Sequence, residues 1–201
     1  MPIFFQQQIN DTTRLGIWKI EEPEAFFEHN VPVKQQVTHP HKRLQHFAGR
    51  FLLPYLYPAF PYRLIQIADT KKPFLANEEY HFSISHCGDY AAAIVSKTAR
   101  VGIDIEIPTP KMEKIAHKFL NEDEKASFGM TDNRQLTLLW SAKESVFKWY
   151  GNGQVDFSEH ILLGKNDIAE SLIHCHFTKT PIDLQIHYHH FEDIVLTCVM
   201  S

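Results

Sequence analysis

The sequence predicts an α+β fold, and three observations predict it. Short apolar runs with strand-like alternation recur in both halves of the 201-residue chain. Each half also carries one long stretch of helical periodicity, at 38–56 and at 134–150. Strands and helices are mixed without the regular βαβ repeat of a doubly wound sheet. An apolar fraction of 44% and a charged fraction of 22% are ordinary for a globular chain of this length.

Taken in order, residues 3–9 and 14–20 alternate and read as strands. Residues 38–56 read as a helix, with Thr38 as its cap, Pro40 in the first turn, and Leu44, Phe47, Ala48, Phe51, Leu52 and Tyr55 facing inward. Lys42, His46 and Arg50 recur every four residues on another face, with Arg43 beside them. The proline-rich stretch 54–61 ends regular helix. Strands are predicted at 63–68, 80–85, 90–97 and 101–107, punctuated by Lys71-Lys72-Pro73, Cys87-Gly88-Asp89 and Ala99-Arg100. A helix over 111–128 is expected to bury Met112, Ile115, Ala116 and Phe119. A second helix over 134–150 ends at Gly151 and Gly153, and strands follow near 160–163, 171–178 and 184–199.

The net charge of −4 argues against a general nucleic-acid binder, and no segment approaches the roughly 20 apolar residues that span a bilayer. The opening Met1-Pro2-Ile3-Phe4-Phe5 lacks a secretory pattern. Three cysteines, Cys87, Cys175 and Cys198, are few and odd in number, as expected of reduced thiols in a cytoplasmic protein.

Three segments carry chemistry. Asp104 and Glu106 are two apart on a strand, so both leave one face, while Val101, Ile103 and Ile105 point into a core. Adjacent carboxylates repel unless a cation lies between them, and a hard, oxygen-preferring ion such as Mg²⁺ suits them. The same Asp-x-Glu spacing also occurs on ordinary polar sheet faces. Trp140, Glu144 and Lys148 line one helix face at four-residue spacing. A surface Glu–Lys pair has that spacing too, but the tryptophan on the same face argues for a cleft. Ser85 and His86 end a strand beside a turn, at a sheet rim.

Together these segments resemble the 4'-phosphopantetheinyl transferase superfamily. Its Gly-x-Asp-x-Glu motif stands as Gly102-Ile103-Asp104-Ile105-Glu106. Its Trp-x-x-Lys-Glu-x-x-x-Lys motif stands complete as Trp140, Lys143, Glu144 and Lys148, and the upstream Ser-x-Ser-His as Ser83-Ile84-Ser85-His86. The likeness covers roughly residues 38–150.

The resemblance implies a pseudo-dimeric fold, two similar halves about a pseudo-twofold axis, with residues 1–100 giving nucleotide contacts and 101–201 the metal and catalytic residues. It implies a monomer that transfers the 4'-phosphopantetheine arm of coenzyme A, bound between the halves, to a serine of an apo acyl or peptidyl carrier protein. Asp104, Glu106 and Glu144 would hold Mg²⁺. Ser85 and His86 would contact coenzyme A phosphate, Lys42 and Arg43 the nucleotide 3'-phosphate, and Lys148 the phosphate during transfer. Lys72 falls on the lysine of a Gly-Lys-Pro motif in which Lys71 replaces the glycine. Glu144 or Glu124 would serve as the base. An acidic carrier calls for a local apolar or basic patch, for which Lys118, Phe119 and Leu120 are candidates.

Three other readings stand beside it. One is a non-catalytic coenzyme A-binding regulator, against which all three carboxylates and both motif lysines argue. Another is a zinc protein, if His174 and His176 meet His187 and His189 across a hairpin in register. The third, a Mg²⁺-dependent phosphohydrolase, lacks an additional metal cluster.

Overall fold

Alternation at the amino terminus produces a hairpin of β1 (Ile3–Asn10) and β2 (Thr13–Lys19). Residues 3–31, 37–129 and 132–201 are described by the computed structural model, so Met1 and Pro2 of the opening segment lie outside the described residues. The chain divides into two compact units, Met1–Val101 and Gly102–Ser201.

In the first unit β2 pairs with β6 (Tyr90–Ser96), which pairs with β5 (His81–Cys87), giving an antiparallel sheet of order β1-β2-β6-β5. A short helix α1 (Glu24–Glu28) precedes α2 (Pro40–Leu56). The cap of α2 is the His39 side chain, which accepts from the Lys42 N–H, and not Thr38. The helix ends at Leu56, where the periodicity predicts, with Pro54 inside its last turn. Phe47, Ala48, Leu52, Leu53 and Leu56 of α2 join Trp18, Phe82 and Ala93 in one core. Gly49 lets the helix close onto the sheet, because a Cβ there would stand 2.5 Å from Ile84 Cγ2.

The predicted strand at 63–68 shortens to β3 (Ile65–Ile67), paired with a second short strand, β4 (Pro73–Leu75). Lys71, in the turn between them, has φ 65°, the left-handed region that glycine tolerates and a lysine enters at a cost of about 1–2 kcal/mol. Lys71→Gly is therefore expected to raise stability by about 1 kcal/mol, read as a higher melting temperature; an unchanged or lower one would argue against strain at this turn.

The second unit begins with β7 (Val101–Glu106) and holds a five-stranded sheet of order β7-β11-β10-β9-β8. The remaining strands are β8 (Ile161–Asp167), β9 (Leu172–Phe177), β10 (Ile182–His190) and β11 (Val195–Met200). The single run expected at 184–199 is thus two antiparallel strands, broken at Phe191-Glu192-Asp193. The helix expected over 111–128 also breaks, into α3 (Lys111–Ile115), a 3-10 turn (Ala116–Lys118) and α4 (Glu122–Phe128). The break is a capping box: the Asn121 side chain accepts from the Glu124 N–H, and the Glu124 carboxylate accepts from the Asn121 N–H.

The long helix α5 (Asn133–Tyr150) ends at Gly151 and buries Leu136, Leu139, Ala142, Val146 and Trp149 against the sheet. Thr197 on β11 ties it down, its hydroxyl donating 2.8 Å to the Ser141 carbonyl. The thiols of Cys175 and Cys198 are buried in this unit and pushed up to about 12 by that burial, whereas Cys87 on β5 is half-buried.

Candidate functional site

The second unit brings four predicted residues together, and a glycine permits it. A Cβ at Gly102 would stand 2.0 Å from the Ser145 carbonyl oxygen and 2.7 Å from the Trp149 nitrogen, so α5 lies directly on the β7 backbone. Residues 102, 104 and 106 share that face by strand periodicity. Strand and helix run in opposite senses. Gly102 meets Ser145 and Trp149, Lys148 Nζ donates 2.6 Å to Asp104 Oδ1, and Trp140 Nε1 donates 3.3 Å to Glu106 Oε1.

Glu144 lies between those two contacts in the helix sequence. Its carboxyl is pushed up to about 7, first by burial and then by repulsion from Asp104, with Lys148 opposing and Glu106 adding to the rise. Asp104 is only 2% exposed. The trio is an all-oxygen donor set of the kind a hard divalent cation takes, and the mutual repulsion is what such an ion relieves. Among the described residues no three His, Cys, Asp or Glu side chains are already arranged as a metal cage. The Lys148 ammonium stands against Asp104.

Glu124 does not join them. Its carboxylate is 2% exposed and accepts from Lys143 Nζ at 2.6 and 2.8 Å, from the Leu163 N–H at 2.8 Å and from the Asn121 N–H at 2.9 Å. Lys143, fully buried, also donates to the carbonyls of Phe157 and Ile161. Burial pushes the Lys143 ammonium pKa down and the Glu124 carboxylate pulls it back up. The carboxylate expected as an alternative base is thus enclosed within the second unit, where it ties α4 to α5 and β8. The expectation for Phe119 and Leu120 is corrected: both are core residues and leave only Lys118 of that patch at the surface.

The first unit carries a basic cluster that sequence reasoning left unassembled. His46 and Arg50, one turn apart on α2, stand with Nη1 and Nδ1 3.5 Å from each other. Burial, Arg50 and His86 together push the His46 imidazole down to about 4. Burial likewise lowers the Arg50 guanidinium, while the Tyr62 hydroxyl bonded to it raises it. Thus two imidazoles, a guanidinium and a phenol converge, a set suited to a phosphate. The four-residue spacing of His46 and Arg50 was the available signal. Gly49, between them in the chain, seats α2 on β5, the strand that ends in Ser85, His86 and Cys87.

Ser85 is buried and His86 exposed. Lys72 is half-buried, and burial with the neighbouring Arg100 charge lowers its ammonium to about 8. Lys42 is exposed. Arg43 is held by Glu24 of α1 at 2.7 Å, an ion pair that raises its own pKa and lowers that of the carboxylate. That contact engages the guanidinium expected at the 3'-phosphate.

Residues 100–199 match the sequence profile of the 4'-phosphopantetheinyl transferase superfamily. The chain is 32% identical over 138 residues to the enterobactin synthase component D of Escherichia coli K12, covering 63% of this chain and 66% of that protein. The chain belongs to the 4'-phosphopantetheinyl transferase superfamily. It is also 27% identical over 164 residues to the 4'-phosphopantetheinyl transferase AcpT of Escherichia coli O157:H7, covering 76% of this chain and 84% of AcpT. The match to the 4'-phosphopantetheinyl transferase gsp of Aneurinibacillus migulanus is 31% over 117 residues, 56% of this chain and 48% of that one. The chain thus spans slightly under two thirds of the enterobactin relative.

Among the described residues the histidines of β9 and β10 are not gathered into a zinc site. The β9–β10 register sets His174 opposite Gln185, His176 opposite Asp183 and His187 opposite Leu172. The imidazoles share a face but are offset along it, and His176 pairs with Asp183 at 2.7 Å.

Proposed function

We propose that this protein transfers the 4'-phosphopantetheine arm of coenzyme A to a serine of an apo acyl or peptidyl carrier protein, releasing 3',5'-ADP, with Mg²⁺ as cofactor. The observation that carries the reading is the convergence of Asp104, Glu106, Glu144 and Lys148 on the face of β7 that Gly102 opens to α5. Family membership supplies the reaction class.

The serine Oγ attacks the phosphorus that bears the pantetheine arm. The bond from that phosphorus to the oxygen of 3',5'-ADP breaks, and the leaving group keeps the electron pair. Glu144 takes the serine proton, directly or through a water. Asp104, Glu106 and Glu144 would hold the metal. When bound, the ion supplies Lewis-acid neutralisation of the pyrophosphate. Lys148 offsets charge on the phosphate under attack. In the first unit His46, Arg50, Tyr62 and His86 support a phosphate contact, joined by Lys72, Lys42 and the Ser85 region. Much of the acceleration is then positioning and charge neutralisation.

Intact-mass spectrometry of an apo carrier incubated with the protein, coenzyme A and Mg²⁺ tests this. One phosphopantetheine arm should be gained, and EDTA should abolish the gain. Asp104→Ala should lose at least about 100-fold in turnover while keeping its circular dichroism, a loss of about 3 kcal/mol of transition-state stabilisation. Wild-type turnover in that variant would remove Asp104 from the metal site.

Glu144 also predicts a pH dependence. Its folded pKa of about 7 lies above its ordinary 4.5, so between those values the folded state holds a proton that the unfolded chain has lost. Metal-free protein should therefore lose stability as pH rises through that window. Mg²⁺ stabilises the ionised trio and should raise the melting temperature more at pH 8 than at pH 5.5. An equal rise at both, persisting in Glu144→Gln, would detach the ion from this carboxylate.

A further inference from the structure

The mechanism above gives Trp140 no task, yet its indole aims a donor at the candidate metal site. An indole N–H donates and never accepts, and here it donates 3.3 Å to Glu106 Oε1. Two aromatic rings of the second unit hold the indole in place. Phe119, fully buried, meets it edge-on with ring centroids 5.2 Å apart. Phe157, which opens the short helix Phe157–His160, lies 5.4 Å away at a tilt and is backed by Phe147 at 5.6 Å. The indole cannot swing away without unpacking these rings.

Each strand carboxylate thus has one oxygen bonded to a donor on α5: Asp104 Oδ1 to Lys148 and Glu106 Oε1 to Trp140. The two donors differ in kind. The ammonium is a point charge at the end of a flexible stem, so it can follow phosphate charge. The indole is neutral, rigid and clamped, so it fixes a direction. A donor fixed on one carboxylate oxygen hinders the rotation that would bring both oxygens to one ion. That bears on the choice of ion. Mg²⁺ demands a near-ideal octahedron, which single oxygens supply, whereas Ca²⁺ accepts a larger, looser shell and takes carboxylates through both oxygens.

We propose that Trp140 is a positioning residue that holds Glu106 as a one-oxygen ligand and so biases the site toward Mg²⁺ over Ca²⁺. This rests on the metal-dependent transferase reading above. The indole acts through the carboxylate and not on the ion itself, as outer partners of metal ligands do.

The test is calorimetric titration of magnesium chloride and, separately, calcium chloride into protein saturated with coenzyme A at pH 8, with wild type beside Trp140→Phe. Phenylalanine keeps an aromatic ring between the neighbouring rings and deletes the donor. The Mg²⁺ Kd should rise about tenfold, as for loss of an outer partner, while the Ca²⁺ Kd rises less than about threefold or falls. The preference for Mg²⁺ should therefore drop several-fold, a ratio that mere loosening of the core would not move. If Trp140→Phe loses its fold, benzothienylalanine at the same position, with sulfur in place of the N–H on a ring of the same shape, serves for the same comparison. Equal weakening of both ions overturns the selectivity role and leaves the indole as packing. Unchanged affinity for both ions overturns the positioning role altogether. Unaltered protein that takes up neither ion overturns the metal reading itself.

Discussion

Gly102→Ala should destabilise the second unit by about 3 kcal/mol, the upper end of the range for overpacked interiors. The new methyl would overlap the Ser145 carbonyl at 2.0 Å and the Trp149 nitrogen at 2.7 Å. Both are main-chain atoms of α5, so no rotamer change relieves the overlap. The helix must lift from β7, and that movement separates Lys148 from Asp104. The expected result is a melting temperature lower by roughly 10 °C, with transfer activity lost along with it. Gly49→Ala is a useful contrast. Its Cβ would meet the Ile84 side chain at 2.5 Å, a group with some freedom to turn, so a smaller loss is expected. A Gly102→Ala protein that melts and turns over like wild type would show that helix and strand do not approach this closely.

Lys143→Met should cost about 3–5 kcal/mol, because it leaves the Glu124 carboxylate buried without its counterion. Glu124→Gln alone strands the ammonium in the same way, although Phe157 and Ile161 still accept two of its protons. The double variant should cost less than the sum of the two. A double-mutant cycle by urea denaturation reads the coupling, expected at 1 kcal/mol or more. Simple additivity would mean that the pair does not interact. Turnover offers a second discrimination. Once corrected for the folded fraction, Glu124→Gln should retain most of its activity, as fits an anchor and not a base.

The strands and long helices were legible in the sequence because alternation and four-residue spacing are direct imprints of burial. The motif on β7 and α5 could be read for the same reason: Trp140, Glu144 and Lys148 declare one face at sight. Where the reading went astray, the deciding partner was distant or the local signal was overlooked. Asn121 followed by Glu124 is a capping signature, and it would have split the helix at 111–128. The Arg43–Glu24 pair links residues on two helices, and the shorter of them, α1, has no long periodicity to announce it. The cluster of His46, Arg50, Tyr62 and His86 forms only when α2 settles on β5. Glu124 matched a family position, but nothing local said that Lys143 would enclose it.

The placement of the thiols has an experimental consequence. Cys175 and Cys198 are sealed within the second unit, while Cys87, half-buried, belongs to the first. A brief pulse of alkylating reagent on native protein should therefore add one label, and exposure of the second unit's interior should add two more. Counting labels by mass turns the natural cysteines into a unit-specific opening assay. With it, the Gly102 and Lys143 variants can be sorted into those that loosen the second unit alone and those that unravel the whole chain, without an engineered probe.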